Sequence, residues 1–257
     1  MSEKKILLTI MTHGDEHIGK KVAGEVIRRH PNIIGKGLDV NIANEKAYRE
    51  KKRYIDLDLN RVFPGNTTGS YEEQRALELS SIISSYDLVI DIHSTESGSG
   101  DMIIVTKLDS ATKEIIDILN PKYVLLMNIK PDKSLISSAR IGLAFEMGSD
   151  DDKETLAKTL VGIERILSYF KLIPNRESYG FKTEYFEVFK QMSKPAGARL
   201  EHHIKNFSLI KKGEIFARNI DNSPIIAEFD FYPVIFGSTN YETIFGFAAR
   251  EIYPAQF

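Results

Sequence analysis

The stretch ILLTIMTHGDEHIGKK, residues 6–21, joins an apolar run to a histidine, a glycine and two carboxylates, and then to a helical pattern. Ile6 to Ile10 form a short, nearly continuous β-branched and leucine run, as expected of a strand buried on both faces. Behind it Ile18, Val22, Val26 and Arg29 fall at helical spacing, with Ala23 and Ile27 widening the apolar face. A core strand that runs straight into a helix is the opening of a layered α/β domain.

The same alternation continues for two-thirds of the chain. LDVNIAN, DLVIDIH, DMIIVT, YVLLMNI and IGLAFEM read as further buried parallel strands, and YEEQRALELSSIISSY and DDKETLAKTLVGIERILSYF as amphipathic helices. The fold class expected is therefore α/β, a mostly parallel sheet with flanking helices. Near IPNRESYG, residues 173–180, the character changes. EYFEVFKQM and GEIFARNI alternate with period two, and the turn signals KPAG, KKG and DNSP separate such runs. A division into residues 1–178 and a smaller β-rich domain, residues 179–257, is expected.

Composition narrows the chemistry. The 257 residues contain no cysteine, so disulfides, thiolate metal sites and cysteine nucleophiles are excluded, and a metal must be held by His, Asp or Glu. The net charge of -2 gives no reason to expect a nucleic acid or a membrane as partner. No apolar stretch approaches the roughly 20 residues of a membrane span, and a cytoplasmic protein is expected.

In an open α/β sheet, ligands bind beyond the carboxyl ends of the strands. His13 and Glu16 follow the first strand, DLVIDIHST delivers His93, and IGLAFEMG delivers Glu146. Two histidines and a carboxylate with one open position form a catalytic zinc set. A further carboxylate can take a proton from water there, and Glu146 suits that role. Each residue also has a plainer reading, since Glu16 or Glu146 could simply favour the N-terminus of the helix that follows. His17, His30, His202 and His203 have no comparable setting. The segment RYIDLDLNRVFPG, Arg53 to Gly65, is a polar loop by itself. Beside a metal it gains a purpose: arginine grips carboxylates and polarises carbonyls, and an aspartate such as Asp58 can orient a ligating histidine.

HGDE, DLNR-F and DIHST, in this order, resemble the zinc carboxypeptidase superfamily, and within it the aspartoacylase and succinylglutamate desuccinylase branch. RYIDLDLNRVF, DIHSTESGSG and the tail FDFYPVIFGSTNYETIFGFA are nearer to aspartoacylase. The resemblance implies one Zn²⁺ per chain on His13, Glu16 and His93, with Glu146 as proton shuttle and Arg53 polarising the scissile carbonyl. It implies that Asn60 and Arg61 hold the substrate α-carboxylate, that Asp58 supports the first histidine, and that Tyr241 lies near the substrate. It also implies a β-rich C-terminal part that narrows the site mouth. Ile136 stands where aspartoacylase carries the arginine that reads the side-chain carboxylate of aspartate, which leaves Arg140 or Lys133 to take its place.

The function expected is zinc-dependent hydrolysis of the amide bond of a small anionic N-acyl amino acid, aspartoacylase-like. The alternatives are a succinylglutamate desuccinylase, another N-acyl amino acid deacylase, a carboxypeptidase or a non-catalytic binding protein. The oligomeric state stays open, with a homodimer among the alternatives.

Overall fold

The structure, a computed structural model, describes residues 4–96, 98–174 and 182–253. The apolar runs become β1 (Ile6–Ile10), β2 (Leu38–Ile42), β3 (Leu88–His93), β4 (Met102–Val105), β5 (Tyr123–Met127) and β6 (Gly142–Glu146). Between and after them lie α1 (Ile18–Arg29), α2 (Glu45–Glu50), α3 (Tyr71–Ile83), α4 (Ser110–Leu119) and α5 (Lys153–Tyr169). The C-terminal region adds β7 (Glu184–Ser193), β8 (Arg199–Leu200), β9 (Ile215–Arg218), β10 (Pro224–Ile226), β11 (Tyr232–Val234) and β12 (Ile244–Ile252). No helix among the described residues is long and apolar enough to cross a membrane.

Among the described residues, nine strands form one sheet in the order β11-β12-β7-β5-β4-β6-β3-β1-β2. The strands β2, β1, β3 and β6 are parallel neighbours, and His93 stands opposite Glu146 in the register. Alternation along these strands sorts the two faces. Ile6, Leu8, Ile10, Ile90, Ile92 and Phe145 pack with Val22, Ile116 and Ile163 of α1, α4 and α5. Leu7, Val89 and Ala144 face the other way, onto Ala76, Leu79 and Ile83 of α3. On that second face the residues turn polar toward the carboxyl ends of the strands: Thr9, then Asp91 and His93, then Glu146. One edge of the sheet is thereby polar while its centre remains apolar.

Two features depart from an alternating parallel reading. Strand β4 is parallel to β5 but antiparallel to β6. A parallel return requires a crossover of about a dozen residues, usually a helix, and the link from β3 to β4 spans only residues 94–101. The C-terminal region also extends the main sheet, because β7 pairs parallel to β5, with β12 and β11 antiparallel beyond it. A separate antiparallel sheet, β10-β9-β8, packs through Phe216, Phe231, Phe236 and Phe245. The expected boundary at 178/179 lies outside the described residues. His202 and His203 lie in an exposed turn.

Candidate metal centre and active site

The chain leaves β1 sharply, with Met11 in the left-handed region at φ 57°. This turn carries His13 and Glu16 over the carboxyl edge of the sheet, and both side chains are buried. Gly14 is required by close approach: a Cβ there would lie 2.3 Å from backbone atoms of Ala47 and Tyr48. Its N–H donates to the carbonyl of Arg53 at 3.1 Å, tying this loop to the next. Glu16 does not cap α1. Asp150 does so, accepting from the N–H groups of His17 at 2.8 Å and Ile18 at 2.5 Å. Asp152 likewise caps α5, accepting from Glu154 N–H at 2.8 Å, so Glu146 is free of that duty.

His13, Glu16 and His93 form the one group of three metal-capable side chains found among the described residues, their donor atoms within 4.8 Å of one another. Nδ1 of His13 is 2.7 Å from Oε1 of Glu16, and Nδ1 of His93 is 2.9 Å from Oε2. The outer nitrogens meet aspartates: Nε2 of His13 lies 3.1 Å from Asp58, and Nε2 of His93 lies 2.7 Å from Asp91. Asp91 is itself fixed by the hydroxyls of Thr9 at 2.9 Å and Thr12 at 2.7 Å. In the tautomer whose Nε2–H donates to its aspartate, each neutral ring turns an Nδ1 lone pair toward the Glu16 carboxylate. Two facing lone pairs repel, and a proton or a metal cation between them removes the repulsion. The site thus fits a divalent cation, with each histidine oriented by a carboxylate behind it.

Electrostatics agree. Burial disfavours the charged rings, but Glu16 and Asp58 outweigh it for His13, and Asp91 and Glu16 do so for His93, so both pKa values rise. Burial would also raise Glu16 and Asp58, yet the two histidines hold Glu16, and His13 with Arg61 and Arg53 hold Asp58, well below the carboxylate range.

Glu146 behaves in the opposite sense. Burial, reinforced by the nearby Glu16 charge and opposed by His93, pushes it up to about 7. A carboxylate poised near neutrality beside a metal site can both accept and return a proton. Arg53 donates to Glu16 at 2.9 Å, and its Nη2 lies 3.1 Å from Nε2 of His13. All these residues line a solvent-open cleft of about 810 Å³. Asn60, Arg61 and Tyr241 line it too. Asn60 accepts from Leu135 N–H at 2.8 Å and places its amide nitrogen 3.2 Å from Nε2 of His93. Arg61 is exposed and donates to the Asn60 carbonyl at 2.8 Å.

Arg140 is not part of this cleft. It precedes β6, whereas Glu146 ends it, so Arg140 stands at the far end of the sheet, exposed and 3.7 Å from Asp87. Lys133 pairs with Asp132 at 3.6 Å and is not among the lining residues. Ile136 itself is in the wall, with Ile104, Met127, Ala144, Ile235 and Phe247. Asp91 was absent from the sequence expectation, although its signal is present. Residues i and i+2 of a strand share a face, so the D-x-H of DIH places Asp91 beside His93.

Residues 2–170 match the sequence model of the succinylglutamate desuccinylase/aspartoacylase catalytic domain. The chain belongs to this family. Among relatives, it is 26% identical to the N-acyl-aromatic-L-amino acid amidohydrolase (carboxylate-forming) of Xenopus laevis, over 93% of this chain and 92% of that one. It is 36% identical to aspartoacylase of Danio rerio over a shorter match, 47% of this chain and 41% of that one. Among solved structures, murine aminoacylase 3 superposes with a TM-score of 0.83 at 18% identity, covering 98% of this chain and 96% of the mouse one. The fold shared with murine aminoacylase 3 thus extends through the C-terminal region that the family sequence model does not reach.

Proposed function

We propose that this chain is a zinc-dependent hydrolase of the amide bond in small N-acyl amino acids. The observation that carries the reading is the position of Glu146, with its pKa near 7, on the strand next to His93 in a cleft shared with His13, Glu16 and Arg53. His13, Glu16 and His93 would hold the zinc, which when bound supplies Lewis-acid polarisation and activates water for attack. Ionised Glu146 takes the proton of the attacking water and passes it to the leaving nitrogen. Arg53 places a positive charge where the tetrahedral oxyanion develops. Asp58 and Asp91 hold the two imidazoles in their ligating tautomer. Arg61 supplies the charge for the α-carboxylate, and Asn60 carries the backbone that Arg61 leans on.

Residues 179–257 are proposed to narrow the cleft mouth, since Ile235, Ser238, Asn240, Tyr241 and Phe247 line it from that side. This favours small substrates over peptides and sets the carboxypeptidase alternative behind the deacylase. Within the deacylase class, one observation favours a neutral or apolar amino acid over aspartate. The wall around Ile136 is apolar, and the arginines and lysines among the described lining residues are Arg53 and Arg61 alone. The relative from Xenopus laevis, whose name specifies aromatic amino acids, agrees with that preference. A turnover screen of N-acetyl, N-formyl and N-succinyl amino acids with added zinc tests the reading. Hydrolysis of several members, abolished by chelation, is expected; absence of turnover across the whole panel overturns it.

A further inference from the structure

Glu72 is fully buried in the first turn of α3, outside the cleft lining. One carboxylate oxygen accepts from Ile55 N–H at 2.7 Å and from the Asn44 amide at 3.2 Å. The other accepts from Asp56 N–H at 3.0 Å and Leu57 N–H at 3.1 Å. A single side chain therefore holds three consecutive backbone N–H groups of the loop between Arg53 and Asp58. The loop answers in kind, with Asp56 accepting from Tyr71 N–H at 3.1 Å at the start of α3. At its other end, the Arg53 carbonyl is fixed by Gly14 N–H at 3.1 Å. The positive end of α3 further favours a carboxylate at this place.

We infer that Glu72 is a positioning residue for the active site: it fixes the loop that aims Arg53 at the scissile carbonyl and Asp58 at His13. It touches neither substrate nor metal and acts through those two residues. A buried carboxylate with four donors suits this task, because charge-assisted hydrogen bonds are roughly twice as strong as neutral ones. A glutamine has one oxygen, so one side of it must turn N–H groups toward N–H groups. The loop must then shift, and small misplacements of catalytic groups cost up to about 10²-fold in rate.

The inference rests on the proposed amide hydrolysis for its kinetic test, but its metal test is independent of turnover. E72Q and E72D are compared with wild type for folding, kcat, KM and zinc affinity by chelator competition. E72Q is expected to fold, to lose about 10- to 100-fold in kcat with a smaller change in KM, and to bind zinc about 10-fold more weakly as Asp58 drifts from His13. E72D, which keeps the charge, should recover part of both losses. The deciding measurement is a double-mutant cycle with R53A. At saturating zinc, where the loss that runs through Asp58 is removed, adding E72Q to R53A costs little more in kcat than R53A alone if Glu72 acts through Arg53. Additive losses, unchanged kcat and zinc affinity, or failure of both variants to fold would overturn the assignment. A wild-type protein without turnover would instead remove the hydrolase reading, while the zinc comparison would still decide whether Glu72 positions Asp58.

Discussion

At the scale of single residues, the account rests on what each carboxylate is asked to do. Glu16, Asp58 and Asp91 face histidines and remain ionised, whereas Glu146 is raised toward 7 by burial. H93A should therefore lose stoichiometric zinc, and retained stoichiometric zinc would remove His93 from the site. D58A and D91A keep all three ligands and should lose about 10- to 100-fold in zinc affinity or activity. E146Q should bind zinc but lose on the order of 10²–10⁴ in kcat. In the proposed mechanism the ionised form of Glu146 is the base, so activity is expected to be full above its pKa and to fall as pH drops through it. A bound cation favours the ionised form, so the acidic limb of kcat/KM should lie no higher than about pH 7, the value reached without the ion. A limb well above that, or one unchanged in E146Q, would contradict the role. Much of this residue set was legible because His93 and Glu146 end apolar runs and His13 and Glu16 follow one. Arg140 misled for a physical reason. It is near Glu146 in sequence, but β6 starts just after Arg140 and ends on Glu146, which puts the two at opposite ends of the strand.

At the scale of elements, the site is made by strand exits and by the loops that lock them. Gly14 is the tightest point, and G14A should destabilise the fold by about 1–3 kcal/mol, the usual cost of overpacking, because the new methyl meets backbone and not a movable side chain. Chemical denaturation measures it, and a wild-type midpoint would show that the loop can yield. The six N-terminal strands could be read from their apolar runs; five are largely buried, which demands such composition, and β2 is a half-buried edge strand. The antiparallel sense of β4 could not be read from its composition, because direction is set by the length of the link, not by the residues of the strand. Nor did the pairing of β7 with β5 follow from alternation, which reports which faces are wet but not which neighbour is chosen.

At the scale of the whole molecule, a sheet of nine strands among the described residues carries the cleft at the carboxyl edge of its parallel strands, and Tyr241 and Phe247 of the C-terminal region line that cleft. In the proposed function this arrangement sets substrate size and charge together. Blocking the α-carboxylate as an amide should reduce kcat/KM by about 10- to 150-fold, the worth of a charge-assisted hydrogen bond of roughly 1.5–3 kcal/mol. Equal turnover of acid and amide would remove Arg61 from substrate binding. I136R places a cation in the apolar wall and should shift preference from N-acetyl derivatives of apolar amino acids toward N-acetylaspartate; an unchanged ratio would show that this wall does not meet the amino acid side chain. The central claim, metal-dependent deacylation by this cleft, is tested most directly by measuring kcat/KM for N-acetylated amino acids on protein of known zinc content. The account predicts turnover that scales with zinc up to one ion per chain, is removed by chelation and restored by zinc, and nearly vanishes in E146Q with zinc still bound. Turnover that is indifferent to zinc, or undiminished in zinc-loaded E146Q, would contradict it.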